Sequence, residues 1–326
     1  MPGRRCGLSA ALALGLAALA AGAAAAQPYP TRPIKMVVPH TPGGPVDVAA
    51  RIVSQQLPRV LGQSAIIENR AGAAGALGAK MVASAEPDGY TLLWGNISTL
   101  VVLPAVTNNR DYDPAKAFVP VAKVSQNHEV LVVRAAFGVR SVEDLVAYAK
   151  ANPGKLNYGS AGHGNATHLA TELFKLRTGT DIVHVPYKGA ADAVTALLGG
   201  QVQMFIGDIA GVLPFLQAGT LRALAVSSER RNPMVPDVPT MAESGVPDYA
   251  VSTYIGVVAP AGTPPGIVAQ LNSAINESLG APDVAAAFGR LGAELRPGSP
   301  QDFAAFLATE TKKWTEVAKT ADIRID

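Results

Sequence analysis

The sequence predicts an α/β fold in which short strands alternate with helices. Three observations lead to this prediction: short apolar runs rich in valine and isoleucine, apolar residues at helical spacing between them, and Gly/Pro-rich segments that separate the two kinds of element. Alternation of this kind is typical of mostly parallel sheets with helices on both faces. The 32 glycines and 25 prolines follow no repeat, so we assign them to tight loops.

The first series of elements begins at residue 34. Apolar runs predict strands at 34–38, 65–68, 90–94 and 119–124. Helical spacing from Val48 to Leu61 predicts a helix that Pro58 should bend or shorten. A second helix is predicted over 76–85, and the pattern becomes irregular around Tyr112.

A second series follows, with strands predicted at 130–133, 156–160, 182–185, 202–206, 221–227 and 254–259. Ser141 and Asp144 have the spacing of a capping box, so a helix begins there. It ends at Asn152-Pro153-Gly154, a strong helix breaker. Later helices are predicted over 166–177, over 190–198, from Ile267 to Leu279, and from Ser299 onwards; the last two close the chain.

The length of 326 residues predicts about two domains, at ~100–200 residues each. The irregular segments near 110–130 and 230–256 are the expected crossings between them. Two crossings make the first domain discontinuous, with residues 27–125 and 252–326. The second domain then comprises residues 126–251.

The first 26 residues have the three parts of a secretory signal peptide. Arg4 and Arg5 precede an apolar run from Leu8 to Ala21, and cleavage is predicted between Ala26 and Gln27. The run is shorter than the ~20 residues of a membrane-spanning helix. Cleavage removes the only cysteine, so the exported chain has neither disulfides nor thiol chemistry.

Composition excludes two further classes of protein. Apolar residues make up 48% of the chain and charged residues only 16%, the reverse of a disordered protein. The formal charge is +2, and loss of Arg4 and Arg5 leaves 25 basic and 25 acidic residues. This balance argues against a nucleic-acid partner, which requires a basic field.

Two Gly-rich loops, residues 39–47 and 159–168, each follow a predicted strand and lead into a helix. Ligands of open α/β sheets bind at the carboxyl ends of the strands. The N-terminus of a helix attracts anions through its unpaired N–H groups. One such loop in each half suggests a small anion held between two domains; the alternative is that both loops are simple turns.

The chain resembles the tripartite tricarboxylate transporter receptors, also called Bug-type extracytoplasmic solute receptors. The matching motifs span the mature chain in order: Tyr29-Pro30-Thr31-Arg32-Pro33-Ile34, Pro42-Gly43-Gly44 with Asp47, Glu68-Asn69-Arg70, Pro87-Asp88-Gly89-Tyr90, Gly154-Lys155-Leu156-Asn157-Tyr158, Val183-His184-Val185-Pro186-Tyr187-Lys188-Gly189 and Ala259-Pro260-Ala261-Gly262-Thr263-Pro264.

The resemblance implies a two-lobed periplasmic binding protein of the type II fold, with two mostly parallel sheets flanked by helices and a cleft between them. Such a receptor captures a small carboxylate (a di- or tricarboxylate, an aromatic acid or an acidic amino acid) and delivers it to a membrane permease or a sensor. A monomer in the periplasm is expected. The candidate ligand-binding residues are His40, Gly43, Gly44, Val46, Asp47, Ser160, His163, Gly164, Asn165, Thr167 and Asp208.

Four residues depart from the usual family pattern near the expected cleft: His40, Leu100, Asn165 and Ile209. Several candidates also have a structural alternative. The alternatives are that Asp47 and Asp208 cap helices and that His40 only fills the volume of an aromatic ring. His168 is expected to fix its loop by a hydrogen bond rather than to touch ligand.

An exported hydrolase acting on a carboxylate ester is the alternative function. Ser160, His168 and Asp208 are the residue types of a catalytic triad, but the G-x-S-x-G motif is missing. Gly72, Gly75 and Gly78 do not match a nucleotide-binding fingerprint. The five-residue spacing of His163 and His168 is poor for a helical metal site. We therefore predict no enzyme activity and no cofactor.

Overall fold

The computed structural model describes residues 29–106 and 113–324. The predicted signal peptide, residues 1–26, and Tyr112 lie outside the described residues. All the helices and strands given below belong to the unit formed by residues 32–326. None of the helices in the described part of the chain has the length and apolar character that a membrane span requires.

The described residues contain ten strands. These are β1 Ile34–Val38, β2 Ala65–Asn69, β3 Thr91–Asn96, β4 Phe118–Arg134, β5 Asn157–Ser160, β6 Val183–Pro186, β7 Met204–Asp208, β8 Leu221–Val226, β9 Ser252–Pro260 and β10 Glu294–Leu295.

The α-helices of the same residues alternate with these strands. They are α1 Pro45–Ser54, α2 Leu57–Leu61, α3 Ala76–Ala83, α4 Leu103–Val106, α5 Pro114–Ala117, α6 Val142–Ala151, α7 Ala166–Thr178, α8 Ala190–Leu198, α9 Ile209–Gln217, α10 Pro265–Leu279, α11 Pro282–Arg290 and α12 Pro300–Thr320.

The long strand β4 belongs to two sheets. Its residues 118–128 pair with β9, in the sheet that also holds β1, β2, β3 and β10. Its residues 129–134 pair with β7 and β8, in the sheet that also holds β5 and β6. Pairs among β1, β2 and β3 and among β5, β6 and β7 are parallel, whereas every pair that includes β4 or β9 is antiparallel. The predicted α/β class is confirmed, with these antiparallel strands at its centre.

The sequence predicts two strands where the structure has the single strand β4. The polar residues between Val124 and Val130 look like a connection, but Ser125 and Glu129 are each only 1% exposed. They continue the strand from one sheet into the other. Because these two residues are polar, a search for apolar runs does not detect that the strand is continuous.

Four helices were not predicted: the one-turn helices α4 and α5, and the longer α9 and α11. Pro214 lies inside α9, and proline argues against a helix when only the sequence is read. Pro282 occupies the first position of α11, where its missing N–H costs no hydrogen bond. The prediction that two helices close the chain is therefore wrong, because α10, α11 and α12 all follow β9.

Local signals at other helix ends are confirmed. Ser141 and Asp144 form the capping box of α6, and Ser299 and Asp302 form that of α12. The helix expected to be bent or shortened by Pro58 is interrupted at Gln55 and Gln56, and Pro58 is the second residue of α2. Helix α12 then buries its apolar face, which includes Phe303, Trp314 and Val317.

Candidate functional site

The first loop, residues 39–44, connects β1 to α1 and is braced by Asp47. This side chain is 2% exposed. Its Oδ2 accepts the N–H of Gly43 at 2.9 Å and Nε of Arg51 at 2.8 Å, while its Oδ1 accepts Nδ2 of Asn69 at 2.9 Å. The bond from Arg51, aided by the other two, lowers the pKa of Asp47 to about 2. All three hydrogen bonds run to the protein itself, so Asp47 shapes the loop from inside.

The first turn of α1 has no side-chain cap, since Gly44 is its N-cap and Pro45 its first residue. The N–H groups in the first turn of a helix have no intrahelical acceptor, and those of Val46 and Asp47 lie there. The N–H of Gly44 donates instead to the carbonyl oxygen of Thr41 at 3.3 Å. An anion at this helix end therefore meets the amides of Val46 and Asp47 first.

His40 begins the same loop and is half-buried. Its Nε2 is enclosed and has no hydrogen-bond partner among the described residues. Burial lowers the pKa of His40, and a hydrogen bond with Asn96 only partly opposes this effect. The ring is therefore neutral at neutral pH, and its Nε2, unpaired among the described residues, is enclosed by the protein.

The second loop, residues 161–165, connects β5 to α7 and is fixed by three side chains. Asn165 caps α7 by accepting the N–H of Thr167 at 3.1 Å. The Oγ1 of Thr167 accepts the N–H of Ala161 at 2.8 Å. Nδ1 of His168 accepts the N–H of Gly164 at 2.9 Å. The loop-fixing hydrogen bond expected of His168 is thus present.

Ser160, at the end of β5, is fully buried and lies beside His184. Its Oγ is 2.6 Å from Nε2 of His184 and also accepts the N–H of Gly162 at 3.1 Å. The histidine partner of Ser160 is therefore not His168. Among the described residues no hydrogen bond joins Ser160 to Asp208, so the side chains of the alternative triad do not form one.

His163, His168 and His184 come together in what we call the histidine cluster. One nitrogen of each ring lies within 4.8 Å of the others. The rings of His168 and His184 stack, with centroids 3.9 Å apart and an interplanar angle of 10°. Tyr158 also stacks with His184, at 4.8 Å between centroids, and with His168, at 6.3 Å. Burial, followed by the neighbouring histidines, lowers the pKa of His168 to about 3 and that of His184 to about 4.

Sequence reasoning considered His163 and His168 but missed His184 as their neighbour. The feature that identifies His184 as their neighbour is the order of the strands in the sheet. Parallel pairing of β5 with β6 places His184 directly beside Tyr158, and the loop that carries His163 leaves from the end of β5. A sequence search for metal ligands by helical spacing cannot find such a contact between strands.

Asp208 ends β7 and occupies the N-cap position of α9, where it makes no side-chain capping bond. The alternative that it caps the next turn is therefore wrong. Its Oδ1 lies 3.5 Å from Oγ1 of Thr253 on β9, so the carboxyl group stands where the two sheets adjoin. Its partner across the strand pair is Glu129, which the sequence analysis did not single out. The sequence feature that could have identified Glu129 is its position, because it is an acidic residue directly before the apolar run 130–133.

A cavity of about 1000 Å³ lies elsewhere, among α6, β8 and residues 237–246. None of the predicted ligand-binding residues lines it. Among the described residues, no hydrogen bond or ring contact joins the first loop to the second. Each loop therefore makes its contacts within its own sheet. The two sheets are connected by the shared strand β4 and by the contact between Asp208 and Thr253.

Two sheets linked by a shared strand, each with a Gly-rich loop before a helix, define a solute-binding protein of the two-lobed periplasmic type. The chain belongs to the family described as "Tripartite tricarboxylate transporter family receptor", whose sequence profile matches residues 49–323. The resemblance noted from the motifs is thereby confirmed.

Similar proteins support this assignment over nearly the whole length. The protein BugT of Bordetella pertussis (strain Tohama I) is 40% identical over 316 residues, covering 96% of this chain and 97% of BugT. The solved structure of R. palustris Rpa4515 with adipate is 40% identical, with a TM-score of 0.76 over 91% of this chain and 99% of that one. MatC from Rhodopseudomonas palustris with bound malate is 35% identical, with a TM-score of 0.73 over 89% and 99% of the respective chains.

Proposed function

We propose that this chain is a periplasmic receptor that holds a small organic carboxylate between two lobes and releases it unchanged. The lobes are residues 27–125 with 252–326 and residues 126–251, and residues 1–26 direct export. The ligand passes to a membrane permease of the tripartite tricarboxylate type or to a sensor. The receptor acts as a monomer and has no enzyme activity.

One observation carries the proposal: each sheet presents a Gly-rich loop that leads into the N-terminus of a helix. At α1 the first-turn amides have no side-chain cap. At α7 the N–H groups of Gly164 and Thr167 already donate to His168 and Asn165, so a ligand meets the other amides of this helix end, such as that of Ala166. Paired helix N-termini bind carboxylates without a formal cation, which suits an exported chain with equal numbers of acidic and basic residues.

The proposed contacts divide between the two loops. His40, Gly43 and Gly44 lie in the first loop, and Val46 and Asp47 lie in the first turn of α1. His163, Gly164 and Asn165 lie in the second loop, between Ser160 at the end of β5 and Thr167 in the first turn of α7. Asp208 joins them from the junction of the sheets. We assign the direct contacts to backbone N–H groups and to the exposed ring of His163, because Asp47 and Thr167 already make hydrogen bonds within their loops.

The ligand is a linear dicarboxylate or a hydroxy-dicarboxylate. Support comes from the two similar structures, one with adipate and the other with malate. Two anion-binding helix ends, one on each lobe, match the two ends of such a molecule. Asp208 has a raised pKa because its carboxyl is desolvated, and a protonated carboxyl can donate to a ligand oxygen.

A thermal-shift panel tests the proposal. Residues 27–326 are unfolded, freed of bound metabolites, refolded and heated with adipate, malate, citrate, benzoate or glutamate. A ligand at 100 times its Kd adds about 2.7 kcal/mol to the free energy of unfolding, which raises Tm by several degrees. Mass spectrometry should then recover the ligand intact. No shift with any acid, or conversion of the ligand, would overturn the proposal.

A further inference from the structure

We propose that the histidine cluster binds one divalent transition-metal ion, with Zn²⁺ as its prototype, and that the ion opens the second loop. His163 comes from that loop, His168 from the first turn of α7 and His184 from β6. The site shares Ser160 and His163 with the proposed carboxylate site, but the inference does not depend on that function. Three imidazoles are a donor set that suits Zn²⁺, Ni²⁺ or Cu²⁺.

The distances are close to those that coordination requires. Three nitrogens around a Zn²⁺ ion with Zn–N bonds of 2.0–2.1 Å lie ~3.4 Å apart in tetrahedral geometry. One nitrogen of each ring lies within 4.8 Å of the others, so the nitrogens must approach by up to about 1.4 Å. Because the rings of His168 and His184 stack at 3.9 Å between centroids, the ring of His168 must also turn out of the stack to direct its nitrogen at the same ion. His163 is exposed and on a loop, so it can supply most of that movement and also leaves the ion a path from solvent.

Ser160 supplies the outer contact that metal-binding histidines usually have. Its Oγ lies 2.6 Å from Nε2 of His184 and can accept that N–H, which leaves Nδ1 of His184 for the ion. Such outer hydrogen bonds fix the ring and its tautomer, and their loss typically weakens metal binding by 10–100-fold.

His168 connects the ion to the loop. Its Nδ1 accepts the N–H of Gly164 at 2.9 Å, so the neutral ring carries its proton on Nε2. Binding an ion through Nε2 moves that proton to Nδ1, where it faces the N–H of Gly164. The hydrogen bond must then break, and the loop leaves the conformation that it has in the structure. Because coupling between sites is reciprocal, a ligand that needs the closed loop also weakens metal binding.

Metal titration of the mature chain, purified without a histidine tag and stripped with EDTA, tests the site. Calorimetry with Zn²⁺ should give one ion per chain, and Co²⁺ should give the intense visible absorption of a tetrahedral centre. His163→Ala should weaken binding at least ~10-fold, and Ser160→Ala should weaken it ~10–100-fold. His128→Gln, on β4 outside the cluster, should bind as the wild type does.

The loop is followed separately through the exchange rate of the Gly164 amide proton, measured by NMR. Zn²⁺ should accelerate this exchange in the wild type and leave it unchanged in His163→Ala, a variant whose mutated side chain is exposed and therefore does not threaten the fold. Absence of Zn²⁺ binding, or equal affinity in His163→Ala, would overturn the metal site. Binding with unchanged Gly164 exchange would overturn loop opening. The carboxylate panel is run in EDTA, so either proposal can fail without the other.

Discussion

Glu129 and Asp208 stand directly opposite each other on the antiparallel strands β4 and β7. Glu129 is 1% exposed, and its Oε2 has no hydrogen-bond partner among the described residues. Burial, then the charge of Asp208, raises the pKa of Glu129 well above 4.5. Although Asp208 has exposed surface at the end of its strand, desolvation of its carboxyl raises its pKa too. A pair of carboxyl groups that resist ionisation therefore lies where the two sheets adjoin.

This pair should make the stability of the chain fall as pH rises. The folded state keeps a proton on Glu129 that the unfolded state releases above about pH 4.5, so the free energy of unfolding declines between that pH and the folded-state pKa. Glu129→Gln removes this ionisation and should flatten the decline. Urea unfolding from about pH 5 to pH 9 measures the slope. Glu316→Gln, an exposed change on α12, should keep the wild-type slope; an equally steep slope in Glu129→Gln would contradict the assignment.

Asp47 has the opposite dependence on pH. Its pKa is lowered from 3.8 to about 2 by Arg51, Gly43 and Asn69, so its contribution is present above pH 3.8 and is lost as pH falls towards 2. Asp47→Asn should lower the free energy of unfolding at pH 7 by about 1–2 kcal/mol, discounted because Arg51 is half exposed. Urea unfolding at neutral and acid pH should show the difference shrinking.

Arg51→Gln provides the matched control for Asp47. It removes the ion pair but leaves the bonds from Gly43 and Asn69, so it should cost less than Asp47→Asn. If Asp47→Asn leaves stability unchanged and only weakens binding of a carboxylate, then Asp47 contacts the ligand and does not brace the loop.

His168 should hold the second loop through a single acceptor atom. His168→Ala leaves the N–H of Gly164 without a partner and should cost about 1–3 kcal/mol. His168→Asn places an oxygen near the position of Nδ1 and should recover much of that loss. Thermal unfolding and the exchange rate of the Gly164 amide measure both effects. Equal losses in the two variants would show that ring packing, and not the hydrogen bond, fixes the loop.

The fold class could be read from the sequence because most of its elements carry local signals. The capping boxes at Ser141 and Ser299 and the break before Pro58 depend on neighbouring residues alone. Helices α9 and α11 were missed because proline reads as a breaker unless its place in the helix is known. The continuity of β4 was missed because Ser125 and Glu129 are polar, although the folded chain buries both of them.

The candidate site was less accessible from the sequence for a similar reason. The two Gly-rich loops were found, since each follows a strand and precedes a helix. The contacts of His184 with Ser160 and of Glu129 with Asp208 depend on strand pairing over 24 and 79 residues of chain, respectively. No local spacing encodes such pairs, so they require the order and register of the strands.

Gly256 on β9 should be intolerant of any side chain because α12 packs directly against it. A Cβ at this position would meet Cε1 of Phe303 at 2.7 Å and the carbonyl oxygen of Ala122 at 3.0 Å. Since Phe303 is 1% exposed, its ring has no free space to enter. Gly256→Ala should therefore lower the free energy of unfolding by about 1–3 kcal/mol or more, as overpacking of a core does.

Gly289→Ala on α11 is the matched control: nothing lies within 4 Å of its Cβ position, and alanine should stabilise the helix by about 0.5–1 kcal/mol. Urea unfolding of the two variants should give shifts of opposite sign, and a neutral Gly256→Ala would mean that α12 can move away from β9 at little cost.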